Sequence, residues 1–245
     1  MNGREPQVID TFLSLTDTLV SDFDALDMLT VLSERCVELL DVTAAGVILS
    51  DGRNGLSVAA ASSERSRLLE LFAVAIDSGP CVDCVRDGVA VISGDLESDE
   101  ARRIWPHYTQ GALEAGFHAT HALPMRLRDD VIGVLTLLST STHALHDDDA
   151  RLGQALADAA TIGLLSERAV RRAETVQEQL QSALNSRVII EQAKGVLAAN
   201  GGITPEEAFT RLRSHARSRS LRLTDLAREV VERTVDPRTV LGDGA

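Results

Sequence analysis

The basic side chains able to bind a polyanion are concentrated near the carboxyl end of the chain. Residues 186–233 carry 9 basic and 6 acidic residues, net +3, whereas residues 1–185 carry 14 and 29, net −15, in a protein of formal net charge −13. Affinity for phosphate groups depends on the local density of Lys and Arg. The imbalance therefore favours a polyanionic partner for residues 186–233, and an arginine-rich helix face that is merely solvated is the alternative.

Two cysteines have a spacing that suggests thiol or metal chemistry. Cys81 and Cys84 match the spacing of redox motifs, and together with His107, His118 and His121 they would offer zinc ligands. The last two histidines lie in a strand-like segment, where residues three apart point to opposite faces. The thioredoxin-like context of a catalytic dithiol is also missing. We therefore expect structural thiols and no metal, with redox sensing as the alternative.

Length and composition are those of an ordinary globular chain. It has 245 residues, of which 44% are hydrophobic and 25% charged, enough to bury a core. No apolar run reaches 18 residues, and the opening MNGREPQ lacks the basic start and apolar centre of a signal peptide. Three cysteines, including Cys36, are too few for a disulfide framework. We expect a cytoplasmic protein.

No pattern in the sequence predicts an enzyme. We find no constellation of Ser, His and Asp, no carboxylate pair and no phosphate-binding glycine loop. The expected function is therefore regulatory and not catalytic.

Three short helical patterns make up residues 186–233. The first ends at Asn200-Gly201-Gly202. The second begins at Thr204-Pro205-Glu206-Glu207, which supplies an N-cap hydroxyl, a proline at the first helical position and a glutamate three residues after the cap. The third begins at a cap formed by Thr224 or Asp225. Three helices of about three turns close only a very small core.

Four short runs on these helices form a recognisable pattern: Gln192-Ala193-Lys194-Gly195, Glu207-Ala208-Phe209, Leu212-Arg213 and Ala216-Arg217. This pattern resembles the ANTAR domain, a three-helix RNA-binding antiterminator module. The resemblance includes the spacings between the helices and implies binding to a pair of short RNA stem-loops in a nascent transcript, which disfavours a terminator hairpin. We expect the RNA-binding surface at Arg187, Lys194, Gly195, Arg213 and Arg217.

Gly195 needs an explanation, because glycine within a helix costs about 1 kcal/mol relative to alanine. Close approach of an RNA backbone and tight crossing of a neighbouring helix are the two available explanations. The adjacent Lys194, the only lysine in the chain, and the ANTAR motif favour RNA. Phe209 lies on the apolar stripe and is expected in the core, which would leave recognition to hairpin shape, phosphate contacts and guanidinium groups.

Residues 7–138 show a mixture of helical and strand-like patterns. Helical patterns cover residues 7–21, 64–76 and 102–115, and a further one follows Asp24 and ends at Asp41. Strand-like segments cover residues 44–49, 56–61, 89–92, 119–127 and 131–138. Gly79-Pro80 is expected to open an irregular loop.

This order of elements resembles the GAF sensory domain over roughly residues 10–165. The segments that carry the resemblance are Gly79-Pro80-Cys81, Trp105-Pro106, Gly116-Phe117 and residues 121–127 and 131–135. It implies a six-stranded antiparallel sheet, with a pocket for a small molecule or other signal between the sheet and residues 63–118. Because ligands vary across the family, the cofactor stays unknown. Cys81, Cys84 and Trp105 form a possible sensor loop.

A long helical pattern begins at Asp147-Asp148-Asp149, where carboxylates favour the positive end of the helix dipole. Up to about residue 165 it is expected to pack on the sheet. Beyond that point a narrow apolar seam near the 3.5-residue period predicts a parallel dimeric coiled coil, in line with the paired ANTAR modules that the resemblance implies. The seam consists of Ala169, Ala173, Val176, Leu180 and Leu184.

The sequence thus predicts an α+β protein with four parts: a GAF domain at 1–165, a coiled-coil linker at 166–185, an ANTAR domain at 186–235 and a flexible tail at 236–245. We expect a homodimer in which the GAF domain senses an unknown small-molecule signal and two ANTAR domains bind RNA to promote antitermination. The alternatives are a helix-turn-helix DNA-binding regulator, although base-reading side chains at the start of a recognition helix are not evident, and a sensor or adaptor with a protein-binding bundle.

Overall fold

The computed structural model describes residues 4–16, 24–52, 55–128, 130–143 and 145–242, apart from the side chain of Glu174. The chain divides into two compact units, Met1–Ala169 and Val170–Ala245. The helices are α1 Glu5–Thr16, α2 Ala25–Leu39, α3 Glu64–Ala75, α4 Pro80–Asp87, α5 Asp99–Ile104, α6 Pro106–Glu114, α7 Asp147–Gly201, α8 Pro205–Ser218, α9 Leu223–Val231 and α10 Pro237–Leu241. The strands are β1 Ala44–Ser50, β2 Leu56–Ala61, β3 Val91–Ser93, β4 Ala119–Leu127 and β5 Asp130–Ser139. These elements confirm the α+β class.

The strands form one antiparallel sheet in the order β2-β1-β5-β4-β3. β4 and β5 form a long hairpin that pairs Leu123 with Leu135, and β1 pairs with the other side of β5. The implied count of six strands is wrong for the described residues, where the sheet has five. Most of the chain between β2 and β3 is taken up by α3 and α4 instead.

Both faces of the sheet are covered. One face shares a hydrophobic core with α2 and the first turns of α7, including Leu32, Leu135 and Leu156. The opposite face shares a second core with the helices α3 to α6, including Tyr108 and Val134. β5 is therefore buried on both sides. Because successive residues of a strand point to opposite faces, nearly every residue of β5 must be apolar, which explains its almost continuous apolar sequence.

Residues 80–87 form the helix α4, so the prediction of an irregular loop was wrong. Pro80 occupies the first helical position, where its missing N–H costs little. Gly88 ends the helix in the left-handed conformation, with φ of 69°. Gly79 precedes it with φ of 137°, a value that glycine adopts without strain. The two glycines thus delimit a two-turn helix that a Gly-Pro loop signal conceals.

The predicted helix at 102–115 is two helices, α5 and α6, which meet at Trp105. Pro106 disfavours helical backbone at the residue before it, and Trp105 accordingly has φ of −127° and ψ of 62°. At the amino end, α1 covers Glu5–Thr16. The predicted extension of that helix through residues 17–21 lies outside the described residues.

The second unit is a small bundle made by the end of α7 with α8, α9 and α10. Its core includes Ala193, Leu197, Ala208, Leu212, Ala216, Leu226, Ala227 and Val230. Thr204 caps α8 by accepting a hydrogen bond from the N–H of Glu207 at 3.2 Å, which confirms the predicted start. α9 begins after Arg222, earlier than predicted, so Thr224 and Asp225 lie in its first turn.

Residues 236–242 are ordered against this bundle and do not form the flexible tail that was predicted. The carboxylate of Asp236 accepts the N–H of Arg238 at 2.9 Å and caps α10. Val240 and Leu241 are buried in the core of the unit, which a bundle this small needs to close. Arg211 donates from Nη1 to the carbonyl oxygen of Leu241 at 2.7 Å. Residues 243–245 lie outside the described part of the chain.

Candidate RNA-binding surface and sensor interior

Three residues at four-residue intervals lie along one face of α8. Phe209, Arg213 and Arg217 border a surface groove together with Thr210, Ser214 and Ser218. Both arginines are exposed, and within the described ranges neither has an acidic partner within 4.0 Å. Their guanidinium groups are therefore available to phosphate or to a base.

Phe209 is not a core residue, contrary to the expectation from the apolar stripe. Its ring is half-buried and borders the groove. The buried positions of α8 are Ala208, Leu212 and Ala216, and this single row already fills the side of the helix that meets the bundle core. An aromatic ring bordered by arginines offers a platform on which a base can stack.

Lys194 on α7 reaches toward Phe209 on α8. Its Nζ atom lies 5.8 Å from the centroid of the Phe209 ring, within the range of a cation–π contact. The same atom donates to both carboxylate oxygens of Glu191, at 2.8 and 3.0 Å. Only 17% of the Lys194 side chain is exposed. The lysine is thus held between an acidic residue of its own helix and the aromatic ring beside the groove.

Gly195 faces open space. A Cβ atom built at this position would meet no atom within 4 Å. Tight crossing of a neighbouring helix within the described chain is therefore not the reason for a glycine here. Close approach of a partner outside the chain remains as an explanation, and it fits the position of Gly195 directly after Lys194.

Arg187 lies two turns before Lys194 on the same face of α7, and it is exposed. Seven residues correspond to about 10 Å along a helix. The structure therefore brings Lys194, Arg213 and Arg217 together around Phe209, whereas Arg187 lies farther along the same surface. Sequence reasoning missed the contact of Glu191 with the lysine, although three-residue spacing of opposite charges on a helix is a signal for such a pair.

The apolar seam of α7 is exposed in the single chain. The exposed fractions are 54% for Val176, 61% for Leu180 and 59% for Leu184, and Ala169 and Ala173 are exposed as well. Large aliphatic side chains at regular helical spacing have no packing partner here among the described residues. The seam is therefore available to a second helix.

The thiols of Cys81 and Cys84 are buried in α4 and are not displayed in a loop. Burial raises the pKa of Cys84 to about 12. Burial, followed by the nearby Glu70, raises the pKa of Cys81 well above its usual value. Because the thiolate is the reactive form of cysteine, this environment disfavours thiol chemistry at neutral pH.

Trp105 is attached to the same helix through Asp83. Its Nε1 atom donates to Oδ2 of Asp83 at 2.7 Å, and Oδ1 of the same carboxylate accepts from Nη2 of Arg86 at 2.6 Å. The three candidate sensor residues are therefore connected, with Asp83 as a link that the sequence did not reveal.

The three histidines considered as metal ligands have separate surroundings. His121 is buried and accepts the N–H of Leu145 at 3.0 Å, and burial together with His143 lowers its pKa to about 4. His118 contacts Glu97 at 3.0 Å, and His107 is exposed. In the part of the chain that the structure describes, no group of three or more His, Cys, Asp or Glu side chains is placed to hold a metal.

Among the grooves on the side of the first unit that carries α3 to α6 are two with both apolar and charged lining residues. One lies between α3 and α6 and is lined by residues including Arg65, Leu68, Phe72, His107 and Glu114. The other lies near α4 and the hairpin of β1 and β2, and its lining includes Leu56, Asp77, Val82, Arg86 and Val131. Both offer mixed apolar and charged walls.

Two family models match the chain. The model of the ANTAR domain matches residues 178–231, and a model of the GAF domain matches residues 24–164, which is more than half of the 245 residues. The chain belongs to the GAF domain family and carries an ANTAR domain. The GAF match lies within the first compact unit and the ANTAR match within the second. Both families are sensory and regulatory.

Solved GAF domains share the fold of the first unit. The GAF domain of a phosphoenolpyruvate-protein phosphotransferase from Coxiella burnetii has a TM-score of 0.52 at 14% identity, covering 68% of this chain and 98% of that one. The corresponding domain from Acinetobacter has 0.51 at 14%, covering 69% and 98%. Free methionine-R-sulfoxide reductase from Neisseria meningitidis, in complex with its substrate, has 0.50 at 16%, covering 66% and 91%. Such identities establish the fold alone. No curated protein is a significant match.

The two matched domains leave part of α7 between them. The GAF domain ends at residue 164 and the ANTAR domain begins at residue 178, inside the segment predicted as a linker at 166–185. The seam residues Val176, Leu180 and Leu184 therefore lie beside or within the start of the ANTAR domain. In the described ranges no helix is both long enough and apolar enough to cross a membrane.

Proposed function

We propose that this GAF–ANTAR protein is a signal-responsive regulator of transcription antitermination. Its ANTAR domain binds paired stem-loops in nascent RNA, and its GAF domain controls that binding in the cytoplasm. The observation that carries the proposal is the surface formed by Lys194, Phe209, Arg213 and Arg217 beside the open Gly195. It lies in the net-positive segment of an otherwise acidic chain.

The chemistry of this surface suits an RNA stem-loop better than duplex DNA. Unpaired loop bases can stack on an aromatic ring or a guanidinium plane, while the stem offers phosphates to the neighbouring arginines. A helix-turn-helix protein instead inserts the start of a recognition helix into the major groove. The first turn of α8 carries Glu206 and Glu207, whose charges repel phosphate. This observation counts against the DNA-binding alternative.

The proposal includes a homodimer formed through the seam of α7. A second copy would cover Val176, Leu180 and Leu184, which the single chain leaves exposed. Each copy would supply one RNA surface, and linking the two surfaces raises the effective concentration at the second stem-loop. A paired target therefore fits a paired protein.

The signal would act on the GAF domain. A small molecule in a groove of this domain could change RNA affinity only by binding more tightly to one of two arrangements of the protein. The GAF domain is joined to the ANTAR domain by the single helix α7, so α7 is the element whose arrangement the signal would have to change. The chemical class of a ligand is not part of this proposal.

Lys194→Ala tests the RNA surface. We expect the full-length protein to lose roughly 1–3 kcal/mol of binding free energy for a two-stem-loop RNA recovered by crosslinking in cells, and to show a weaker salt dependence. The measurement is a titration by fluorescence anisotropy at several salt concentrations.

Arg228→Ala is the matched control for this variant. It removes one positive charge from the same domain, at an exposed arginine that pairs with Asp225 at 3.7 Å. We expect it to bind RNA nearly as well as the wild type. If the two variants weaken binding equally, the loss reflects net charge and the proposed surface is wrong.

A further inference from the structure

Glu70 on α3 is a buried carboxyl group. Its exposed fraction is 1%, and neither of its oxygens has a donor at ordinary hydrogen-bond distance within the described chain. The hydroxyl of Thr136 on β5 faces it and also lacks a partner at that distance, although Thr136 and the thiol of Cys81 are close enough to favour the charged form of Glu70. Buried polar atoms are hydrogen-bonded in the great majority of cases, so this group calls for an explanation.

The groups around Glu70 include no positive charge. The thiol of Cys81 faces it from α4. The phenol of Tyr108 on α6 is close enough for the charge of Glu70 to raise its pKa. The strands β1 and β2 also pack against α3, and they carry no titratable side chain. An ionised Glu70 would therefore have no counter-ion.

The carboxyl is packed tightly against the sheet. A Cβ atom built at Gly46 on β1 would lie 3.2 Å from both Cγ and Oε1 of Glu70, which is too close for a side chain without movement. The glycine at this position thus admits the carboxyl. There is little space on that side for water to solvate a charge.

Ionising a buried carboxyl that has no positive partner is costly, so the group retains its proton to higher pH. Burial raises the pKa of Glu70 from 4.5 to about 7, although Thr136 and Cys81 act in the opposite direction. The proton would thus be exchanged close to neutral pH, unlike that of an exposed glutamate.

We propose that Glu70 is a proton-binding site through which the GAF domain responds to pH. The neutral acid allows α3 to pack on β1 beside Thr136 of β5, and loss of the proton loosens this packing. Thr136 on β5 faces Glu70, whereas its neighbours Leu135 and Leu137 belong to the core shared with α7 on the other side of the sheet. A displacement of β5 would therefore reach the helix that leads to the ANTAR domain.

The direction of the pH effect follows from the raised pKa. Between pH 4.5 and about 7 the folded domain keeps a proton that the unfolded chain has released. Stability therefore falls as the pH rises through this window and is level above it. Glu70→Gln is neutral at every pH, so it should lack this component of the pH dependence.

Urea denaturation followed by the fluorescence of Trp105 tests the proton site in the full-length protein, because this residue is the only tryptophan in the chain and lies in the GAF domain. Relative to Glu70→Gln, the unfolding equilibrium constant of the wild type should increase roughly 100-fold from pH 4.5 to 8. Glu64→Gln, on the exposed first turn of the same helix, is the matched control and should follow the wild type. Parallel pH profiles for wild type and Glu70→Gln would overturn the proposal.

A direct measurement requires no variant. The carboxyl carbon of Glu70, observed by NMR in the wild-type protein, should titrate near neutral pH, and titration close to 4.5 would overturn the proposal.

The step from Glu70 to RNA rests on the proposed function. Between pH 6 and 8 the RNA affinity of the wild type should change severalfold, and this change should exceed that of Glu70→Gln. Equal changes in the two proteins would overturn the proposal that Glu70 regulates RNA binding. If neither protein binds RNA at any pH, the proposed function fails, while the stability and NMR titrations still decide whether Glu70 binds the proton.

Discussion

The GAF and ANTAR domains hold their polar side chains in opposite surroundings. In the GAF domain Glu70, Cys81 and His121 are buried, and burial displaces the pKa of each from its ordinary value. In the ANTAR domain Arg213 and Arg217 are exposed on the surface of α8. Burial makes the charge of a group depend on packing, which suits a sensor, whereas exposure leaves a permanent charge available to a polyanion.

Gly79→Ala should have the largest effect on stability, because it disturbs the buried interior of the GAF domain. A Cβ atom at this position would lie 2.8 Å from Cδ2 of Tyr108, and the φ of 137° strains any side chain. Backbone strain and overpacking together should lower the free energy of unfolding by roughly 2–5 kcal/mol. Trp105 fluorescence during urea denaturation measures the change.

Gly52→Ala gives the cost of a positive φ in the left-handed region without overpacking, and the backbone of Gly79 lies in a region that costs a side chain more. Gly52 also has a positive φ, 71°, but a Cβ atom there would meet nothing within 4 Å. It should lose only about 1 kcal/mol. If Gly79→Ala loses no more than Gly52→Ala, the contact with Tyr108 is not tight in the folded protein.

Replacing Val176 and Leu180 together by Asp should prevent two copies from pairing through the seam of α7. Charges on the seam should produce monomers and weaken binding to a two-stem-loop RNA by roughly 100-fold, while binding to one stem-loop changes little. Analytical ultracentrifugation and RNA titration measure the two effects.

The control for the seam replaces Gln177 and Gln181 by Asp, which adds the same charge to polar positions of the same helix. That protein should remain a dimer. A wild-type protein that sediments as a monomer with and without RNA would contradict the homodimer.

Gly195→Ala should have the smallest effect on stability, and of opposite sign to Gly79→Ala. Because the position is open, alanine should stabilise the helix by up to about 1 kcal/mol. RNA binding should nevertheless weaken if the backbone of the partner approaches Gly195 closely. Thermal unfolding and RNA titration of the same variant distinguish these effects. A lower melting temperature with unchanged RNA binding would assign the glycine to packing.

Local sequence signals predicted an element well where one clear signal marked its start or its whole length. Thr204 and Pro205 marked the start of α8, and the segments 119–127 and 131–138 marked the central hairpin. The errors occurred where short-range signals compete. Gly79-Pro80 suggested a loop although it begins α4, and residues 236–242 were too polar on average to reveal that Val240 and Leu241 cover the bundle core.

The amino-acid sequence alone predicted four features: the α+β class, the two domain families, the division of charge and the seam of α7. Each of them depends on composition or on the spacing of residues along the chain. Only the folded structure shows the surroundings of Phe209, Gly195 and Glu70. Each depends on which side of a helix faces an element distant in sequence. α3 buries Ser66, Leu69, Glu70 and Ala73 on one stripe, and the polarity of Glu70 gives no indication of this. The sheet beneath the helix sets the environment of the carboxyl, and the space beside α7 sets that of Gly195.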